Sequence, residues 1–227
     1  MIAASRLLKI SIQTSILTLM ADGMDQAKFK LPRIKDRKSK MWAKLFRPML
    51  HLAACYLHGF TLDFFVSPAD LKKDSETQIE MLSLTLEKVF DTHGSLPLGF
   101  SLHQDNTYRE GKNQYACSWI CLLVVLHVFR YTLSNFLKPG HSHEDLDQVF
   151  GQTGSEIARH EFETEDDVAD ILDCAVEQQS EPSRIQRASA PPNGIFKRQA
   201  TAQVLHQVAP WKDRSSYSAK GLRAPGF

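Results

Sequence analysis

The sequence predicts an α/β domain built on a mixed β-sheet. Three strand-like runs come first, and helix-like and strand-like segments then alternate, an order that is typical of a sheet with helices on both faces. Hydrophobic residues make up 43% of the 227 residues, which is enough for a packed core. This content excludes a chain that is disordered throughout.

The strands are indicated by short apolar and β-branched runs. Residues 16–22 (ILTLMAD) form the first run, and the runs 49–57 and 60–66 are separated by His58 and Gly59, which predicts a hairpin. Apolar and polar residues alternate in the third run, so we expect a strand that is buried on one face only. The fourth and fifth strands are predicted at residues 98–104 and 132–137.

Two helices are predicted between these later strands. Residues 75–90 carry an apolar stripe at helical spacing, and Ser75 with Gln78 predicts a capping box at the start. Residues 112–129 are too long and too apolar for a strand, so they predict a mostly buried helix. We expect its two cysteines to be buried as small apolar residues, Cys117 and Cys121.

Two more helices are predicted after the last strand, at residues 143–157 and 164–176, the second of them acidic and capped by Thr164. The resulting order is strand, strand, strand, helix, strand, helix, strand, helix. This is the order of the ribonuclease H-like fold, which is therefore the predicted fold class.

The chain divides into four predicted parts: a poorly ordered leader, the α/β domain, an acidic helix and a disordered tail, at residues 1–15, 16–160, 161–177 and 178–227. Residues 1–176 carry 19 Lys and Arg against 23 Asp and Glu, a net charge of −4. Residues 177–227 carry 8 against 3, a net charge of +5, in a composition rich in Pro, Ser and Gln. A basic tail therefore follows an acidic body.

The sequence also bears on location. No apolar run reaches the roughly 18 residues that a membrane-spanning helix needs, so no membrane partner is expected. The four cysteines lie far apart or within apolar runs, which favours a reducing compartment over a disulfide scaffold. Residues 1–20 are only weakly similar to a targeting peptide. We expect a nuclear or cytoplasmic protein rather than an exported one.

Three acidic residues occupy positions that such a fold would bring together. Asp22 ends the first strand, Asp105 follows the fourth, and Asp147 lies on the helix after the fifth. Carboxylates grouped in this way hold Mg²⁺ or Mn²⁺, and a pair of such ions assists phosphodiester cleavage. Each residue also has an ordinary structural explanation, as part of a turn or as a solvated helix residue.

A family resemblance supports the same three residues. The stretches ADGMDQAKFKLPR, LHQDNTYREGKN and GHSHEDLDQVFG resemble signature blocks of a large, poorly characterised family of transposon-derived proteins, over roughly residues 17–155. The resemblance implies an integrase-type ribonuclease H-like fold and a transposase-type triad of Asp22, Asp105 and Asp147. In the first block Asp25 is an alternative to Asp22, and in the third Asp145 is an alternative to Asp147.

Two histidines precede the third acid. His141 and His143 form a His-x-His pair that zinc could use as ligands, although structural zinc sites generally take four protein ligands. Contact with the scissile phosphate, orientation of Asp147 and local helix capping are the other interpretations. The sequence leaves these alternatives open.

A basic segment follows the first strand. Residues 28–48 hold nine cations and one acid, with aromatic residues interleaved, a composition that suits a nucleic-acid backbone with occasional base stacking. A solvated loop and a nuclear localisation signal are the alternatives. With two cations after the second acid, the predicted nucleic-acid-binding residues are Lys28, Lys30, Arg33, Lys35, Arg37, Lys38, Lys40, Arg109 and Lys112.

The function predicted from these features is metal-dependent cleavage or strand transfer of phosphodiester bonds in nucleic acid, with DNA the expected form and two Mg²⁺ or Mn²⁺ ions as cofactors. Many copies in such families are decayed, so the alternative is a catalytically inactive module that binds nucleic acid or another partner. A homo-oligomer is compatible with strand transfer, but no coiled-coil pattern predicts one.

Overall fold

The structure is a computed structural model and describes residues 16–24, 30–34, 46–68, 70–105, 111–136, 144–179 and 199–204. Six strands and four helices lie in these ranges. In chain order they are β1 (Ile16–Gly23), β2 (Leu50–Leu57), β3 (Thr61–Pro68), α1 (Ser75–His93), β4 (Gly99–Gln104), α2 (Gln114–Val125), β5 (Tyr131–Phe136), α3 (Glu144–Ile157), α4 (Glu165–Gln179) and β6 (Gln199–Val204).

The strands form one mixed sheet in the order β5-β4-β1-β2-β3-β6. The hairpin partners β2 and β3 are antiparallel, and β2 is also antiparallel to β1. The pairs β1–β4, β4–β5 and β3–β6 are parallel. The predicted α/β class, the mixed sheet and the first five strands are therefore confirmed. We call the end of the sheet where β1, β4 and β5 finish its carboxyl end, and the opposite end its amino end.

Both faces of the sheet are covered by helices, as the element order predicts. Alternate residues of β1 and β4, such as Leu19 and Phe100, pack against α1 and α2 in one hydrophobic core. A second core on the opposite face joins β2 and β3 to α3 and α4, where Leu146 and Leu172 are fully buried. Each helix contributes one apolar stripe, and burial of such stripes is the main force that holds the layers together.

The third strand differs from its prediction. All seven residues from Thr61 to Ser67 are buried, because β3 is covered on both faces rather than one. One of them is Asp63, whose side chain is 1% exposed and pairs with the ammonium of Lys88 from α1. Lys88 Nζ also lies 3.0 Å from Thr61 Oγ1. The alternation in the sequence therefore separates two buried faces, one of which holds an ion pair.

The first helix begins one residue earlier than the proposed capping box implies. Asp74 is the N-cap, and its carboxylate accepts hydrogen bonds from the backbone N–H groups of Glu76 and Thr77. Ser75 is the first helical residue instead, so the capping box with Gln78 was wrong. The helix continues to His93, where Gly94 ends it in the left-handed conformation with φ of 70°.

The second helix is less buried than predicted. Asn113 caps it, and only one stripe of α2, including Trp119 and Leu123, is buried. Cys117 and Cys121 are both exposed, so the expectation that they lie in the core was wrong. High apolar content could not show which side of the helix faces solvent.

The sixth strand lies within the segment that we expect to be a disordered tail. Residues Gln199–Val204 pair in parallel with Thr61–Val66. The other residues of the predicted tail beyond Gln179, and the predicted leader 1–15, lie outside the described residues. In the part of the chain that is described, no helix has both the length and the apolar content to span a membrane.

Candidate functional site

Two of the three predicted acids lie side by side at the carboxyl end of the sheet. Ala21 of β1 is in register with Gln104 of β4, so Asp22 and Asp105 follow as the next pair on two adjacent parallel strands. Neighbouring strands are about 4.8 Å apart, which places both carboxylates within reach of one small ligand. Asp22 is half-buried and Asp105 is exposed. The Gly23 N–H donates to Asp22 Oδ1 at 2.7 Å.

Both acids line a single pocket between the sheet and the start of α1. Lys73 and Asp74 form the helix side of this pocket, and His51 lies on the β2 side. Gln104 forms part of the pocket lining and is 2% exposed. Its amide Nε2 donates to the Gly111 carbonyl at 3.3 Å, which holds the chain beyond β4 against the strand. The pocket lining therefore combines three aspartates with one lysine, one histidine and uncharged polar groups.

Asp147 does not lie in this pocket. It is exposed on α3, whose first turn lies towards the amino end of the sheet, since Asp145 Oδ2 is 3.9 Å from Nε2 of His58 in the β2–β3 turn. The other end of α3 reaches the carboxyl end, where a Cβ on Gly154 would meet the Met24 side chain. The structure thus brings Asp22 and Asp105 together and leaves Asp147 and Asp145 apart from them.

A polar cluster occupies the sheet surface next to the acids. His103 is two residues before Asp105 and shares its face of β4. Its Nε2 lies 3.1 Å from Ser101 Oγ and 3.3 Å from Nδ2 of Asn135 on β5. The helices α3 and α4 pack over β2 and β3, and the same face of β4 and β5 carries this cluster together with the exposed side chains of Tyr131 and Leu133. The polar cluster therefore lies next to Asp105 on a sheet face that is both polar and apolar.

The described part of the basic segment lies at the same end of the sheet. Lys30 is exposed and forms a β-bridge with Met49, just before β2 begins at the carboxyl end. Arg33 donates from its guanidinium to the Ala158 carbonyl at 2.9 Å, and Arg47 donates to the Lys30 carbonyl at 2.7 Å. These two arginines fix the segment to the domain, so Lys30 is its cation most open to a ligand among the described residues.

Lys112 lies beside the pocket rather than in it. It is exposed, and its ammonium lies 5.7 Å from the centre of the Phe136 ring. The remaining predicted site residues lie outside the described residues: Asp25, His141, His143, Lys28, Lys35, Arg37, Lys38, Lys40 and Arg109.

The carboxylates of the pocket fit a hard divalent cation, but they supply only part of its coordination shell. Mg²⁺ is commonly held by one or two carboxylates together with water and substrate phosphates, and Asp22 with Asp105 supplies that number. Within the described ranges no group of three His, Cys, Asp or Glu side chains gathers closely enough to hold a metal ion. The pocket residues therefore suit an ion that completes its coordination with solvent and substrate.

Sequence reasoning missed Lys73 and His51 as pocket residues. Lys73 stands next to Lys72 in an ordinary polar stretch, and His51 is part of a strand, so neither carries a motif. Their role in the pocket depends on the register of β1 with β2 and on the position of the α1 N-terminus. Only the assembled sheet brings them near Asp22.

Fold and site together define an α/β domain with paired carboxylates at the carboxyl end of adjacent parallel strands. The chain belongs to a family described as a domain of unknown function, DUF7869, which it matches over residues 40–212. This match includes Asp105 and Lys73 and begins after β1. Comparisons with curated proteins and with solved structures gave no significant match.

Proposed function

We propose that this domain cleaves or transfers phosphodiester bonds in nucleic acid, with divalent metal ions bound at Asp22 and Asp105. The observation that carries the proposal is the in-register placement of these carboxylates on β1 and β4, in one pocket. DNA is the substrate we favour, in a nuclear or cytoplasmic setting. The family resemblance to transposon-derived proteins at both acids points to the same chemistry.

The sheet also supports a ribonuclease H-like fold as part of this proposal. The five strands β1–β5 follow the predicted order along the chain, with β1 at the centre between antiparallel β2 and parallel β4. In such a sheet the carboxyl ends of the parallel strands are where ligands bind. Asp22 and Asp105 stand at that place.

The protein residues would act by position and charge. Asp22 and Asp105 would hold Mg²⁺ or Mn²⁺, and Lys30 would attract the phosphate backbone at the same end of the sheet. A bound ion would lower the pKa of a water molecule and would neutralise charge on the phosphate. His103 lies within hydrogen-bonding distance of Ser101 and Asn135, and it would keep these two side chains in place on the surface of β4 and β5.

The second candidate is a catalytically inactive module that binds nucleic acid. The observation that favours it is the position of Asp147, which is exposed on α3 away from the other two acids. A triad that includes Asp147 would require α3 to move. The inactive module would keep the basic surface without using the carboxylate pair.

A nicking assay on supercoiled plasmid with Mn²⁺ or Mg²⁺ tests the proposal. We expect the intact chain to nick the plasmid and Asp105→Asn to lose activity by about 100-fold or more, since losing even an outer-shell partner of a metal site costs 10–100-fold. Asp170→Asn, an exposed change on α4, is the matched control and should retain full activity.

Asp147→Asn separates the two-carboxylate site from the triad. Full activity of this variant supports the pocket of Asp22 and Asp105, and lost activity supports the triad. If the folded, metal-loaded chain does not nick DNA, or if Asp105→Asn nicks it equally fast, the enzymatic proposal is wrong and the inactive module stands.

A further inference from the structure

A lysine lies in the pocket next to the two acids. Lys73 immediately precedes the N-cap of α1, and its side chain is half-buried against the end of β1. A Cβ built on Gly23 would lie 3.1 Å from Lys73 Nζ, so glycine at this position leaves room for the ammonium. Lys73 lines the same pocket as Asp22 and Asp105. The pocket therefore holds a cation beside the carboxylates of Asp22 and Asp105.

This ammonium has no ion pair within the described part of the chain. No described carboxylate oxygen lies within 4.0 Å of it, although it shares the pocket with three aspartates. The nearest acid in sequence is Asp74, and its carboxylate accepts hydrogen bonds from the first turn of α1. Lys88 is a contrasting case, because its ammonium pairs directly with buried Asp63.

A half-buried lysine without an ion pair contributes little to the stability of the fold, but it is well placed to bind an anionic ligand. A half-buried ammonium loses part of its hydration, and a direct partner normally compensates for that loss. An anionic ligand in the pocket would supply the missing partner and would also bring negative charge next to ions held by the carboxylates. A phosphate group meets both requirements.

We propose that Lys73 binds a non-bridging phosphate oxygen of the nucleic-acid strand that enters the pocket. This inference rests on the proposed function and adds a residue that sequence motifs do not reveal. Lys73 contacts the phosphate on the α1 side, and the carboxylates and their ions face the same phosphate from the sheet side. The ligand class is a phosphodiester, the group on which the proposed function acts.

Binding of a fluorescein-labelled DNA duplex, measured by anisotropy over a range of salt concentrations, tests this contact. The variants are Lys73→Met and Lys73→Arg, with Lys72→Met as the matched control because Lys72 is exposed and does not line the pocket. The slope of log K against log salt is negative, and loss of one phosphate contact reduces its magnitude by about 0.9. At 0.1 M salt this corresponds to about 8-fold weaker binding.

We expect Lys73→Met to show both changes, Lys73→Arg to restore the slope, and Lys72→Met to match the unmodified chain. A merely structural lysine would change stability without changing the salt slope. Lys73→Gln provides a second neutral variant if circular dichroism shows that Lys73→Met does not fold.

The outcomes separate this inference from the proposed function. A reduced slope for Lys73→Met alone supports the contact, even if the plasmid is never nicked. Equal slopes for all variants overturn the contact, and nicking by the same preparation would then leave the enzymatic proposal intact. Absence of any DNA binding by the intact chain overturns both.

Discussion

The buried ion pair between Asp63 and Lys88 should respond unequally to loss of either partner. Lys88→Met removes the ammonium that pairs with the Asp63 carboxylate, and this carboxylate belongs to a side chain that is only 1% exposed. Removing one partner of a buried pair costs about 3–5 kcal/mol, and we expect about 3 because the Lys88 side chain is 20% exposed. Asp63→Asn should cost less, about 1–2 kcal/mol, since the remaining ammonium can reach water.

Urea denaturation followed by circular dichroism measures these differences. With a slope of about 2 kcal/mol per M, Lys88→Met should lower the midpoint by about 1.5 M. Lys72→Met, an exposed lysine with the same substitution, should stay within about 0.5 kcal/mol of the unmodified chain. The double variant Asp63→Asn/Lys88→Met should recover much of the loss, because no buried charge then remains.

A Lys88→Met midpoint close to that of the unmodified chain would refute the reasoning. It would mean that water or a nearby group compensates the Asp63 carboxylate. Equal losses for Lys88→Met and Asp63→Asn would refute the asymmetry, which depends on the different exposure of the two side chains.

Two further predictions concern the cysteines and α4. Burial, and to a smaller extent the charge of Asp63, raises the pKa of the Cys55 thiol. A thiol reagent should therefore label three cysteines in the folded chain and Cys55 only after unfolding. The three exposed cysteines are Cys117, Cys121 and Cys174. The pKa of Asp167 lies below its usual value because its carboxylate accepts the N–H of Glu163 and then that of Thr164. Asp167→Ala should therefore lower stability at pH 7. This difference should shrink as pH falls through the lowered pKa, where the unmodified chain also loses the interaction.

The sequence predicted the elements well because their signals are local. The strand runs and the helices have periods that do not depend on distant residues, and Asp22 with Asp105 came together because each ends a strand that turned out to be parallel and adjacent. The N-cap was misassigned because Asp74 and Ser75 are both good caps, and only backbone geometry distinguishes them.

Features that depend on tertiary packing were not predictable in the same way. The exposure of Cys117 depends on which surfaces the neighbouring elements cover. The burial of Asp63 depends on it too, because β3 is covered on both faces. The distance of Asp147 from Asp22 depends on the direction in which α3 crosses the sheet, which helical periodicity does not encode. Lys73 became a candidate only when the end of β1 and the start of α1 were seen to meet.

The pairing of β6 with β3 has a consequence for how the chain folds. It joins residues about 140 positions apart, a large sequence separation that slows formation of a contact. We expect the other five strands to associate first and this pairing to close last, leaving β3 for a time as an unprotected outer strand. Because Phe64 and Val66 lie on that strand, intermediates should be prone to associate through it, and a chain ending before Gln199 should aggregate during refolding.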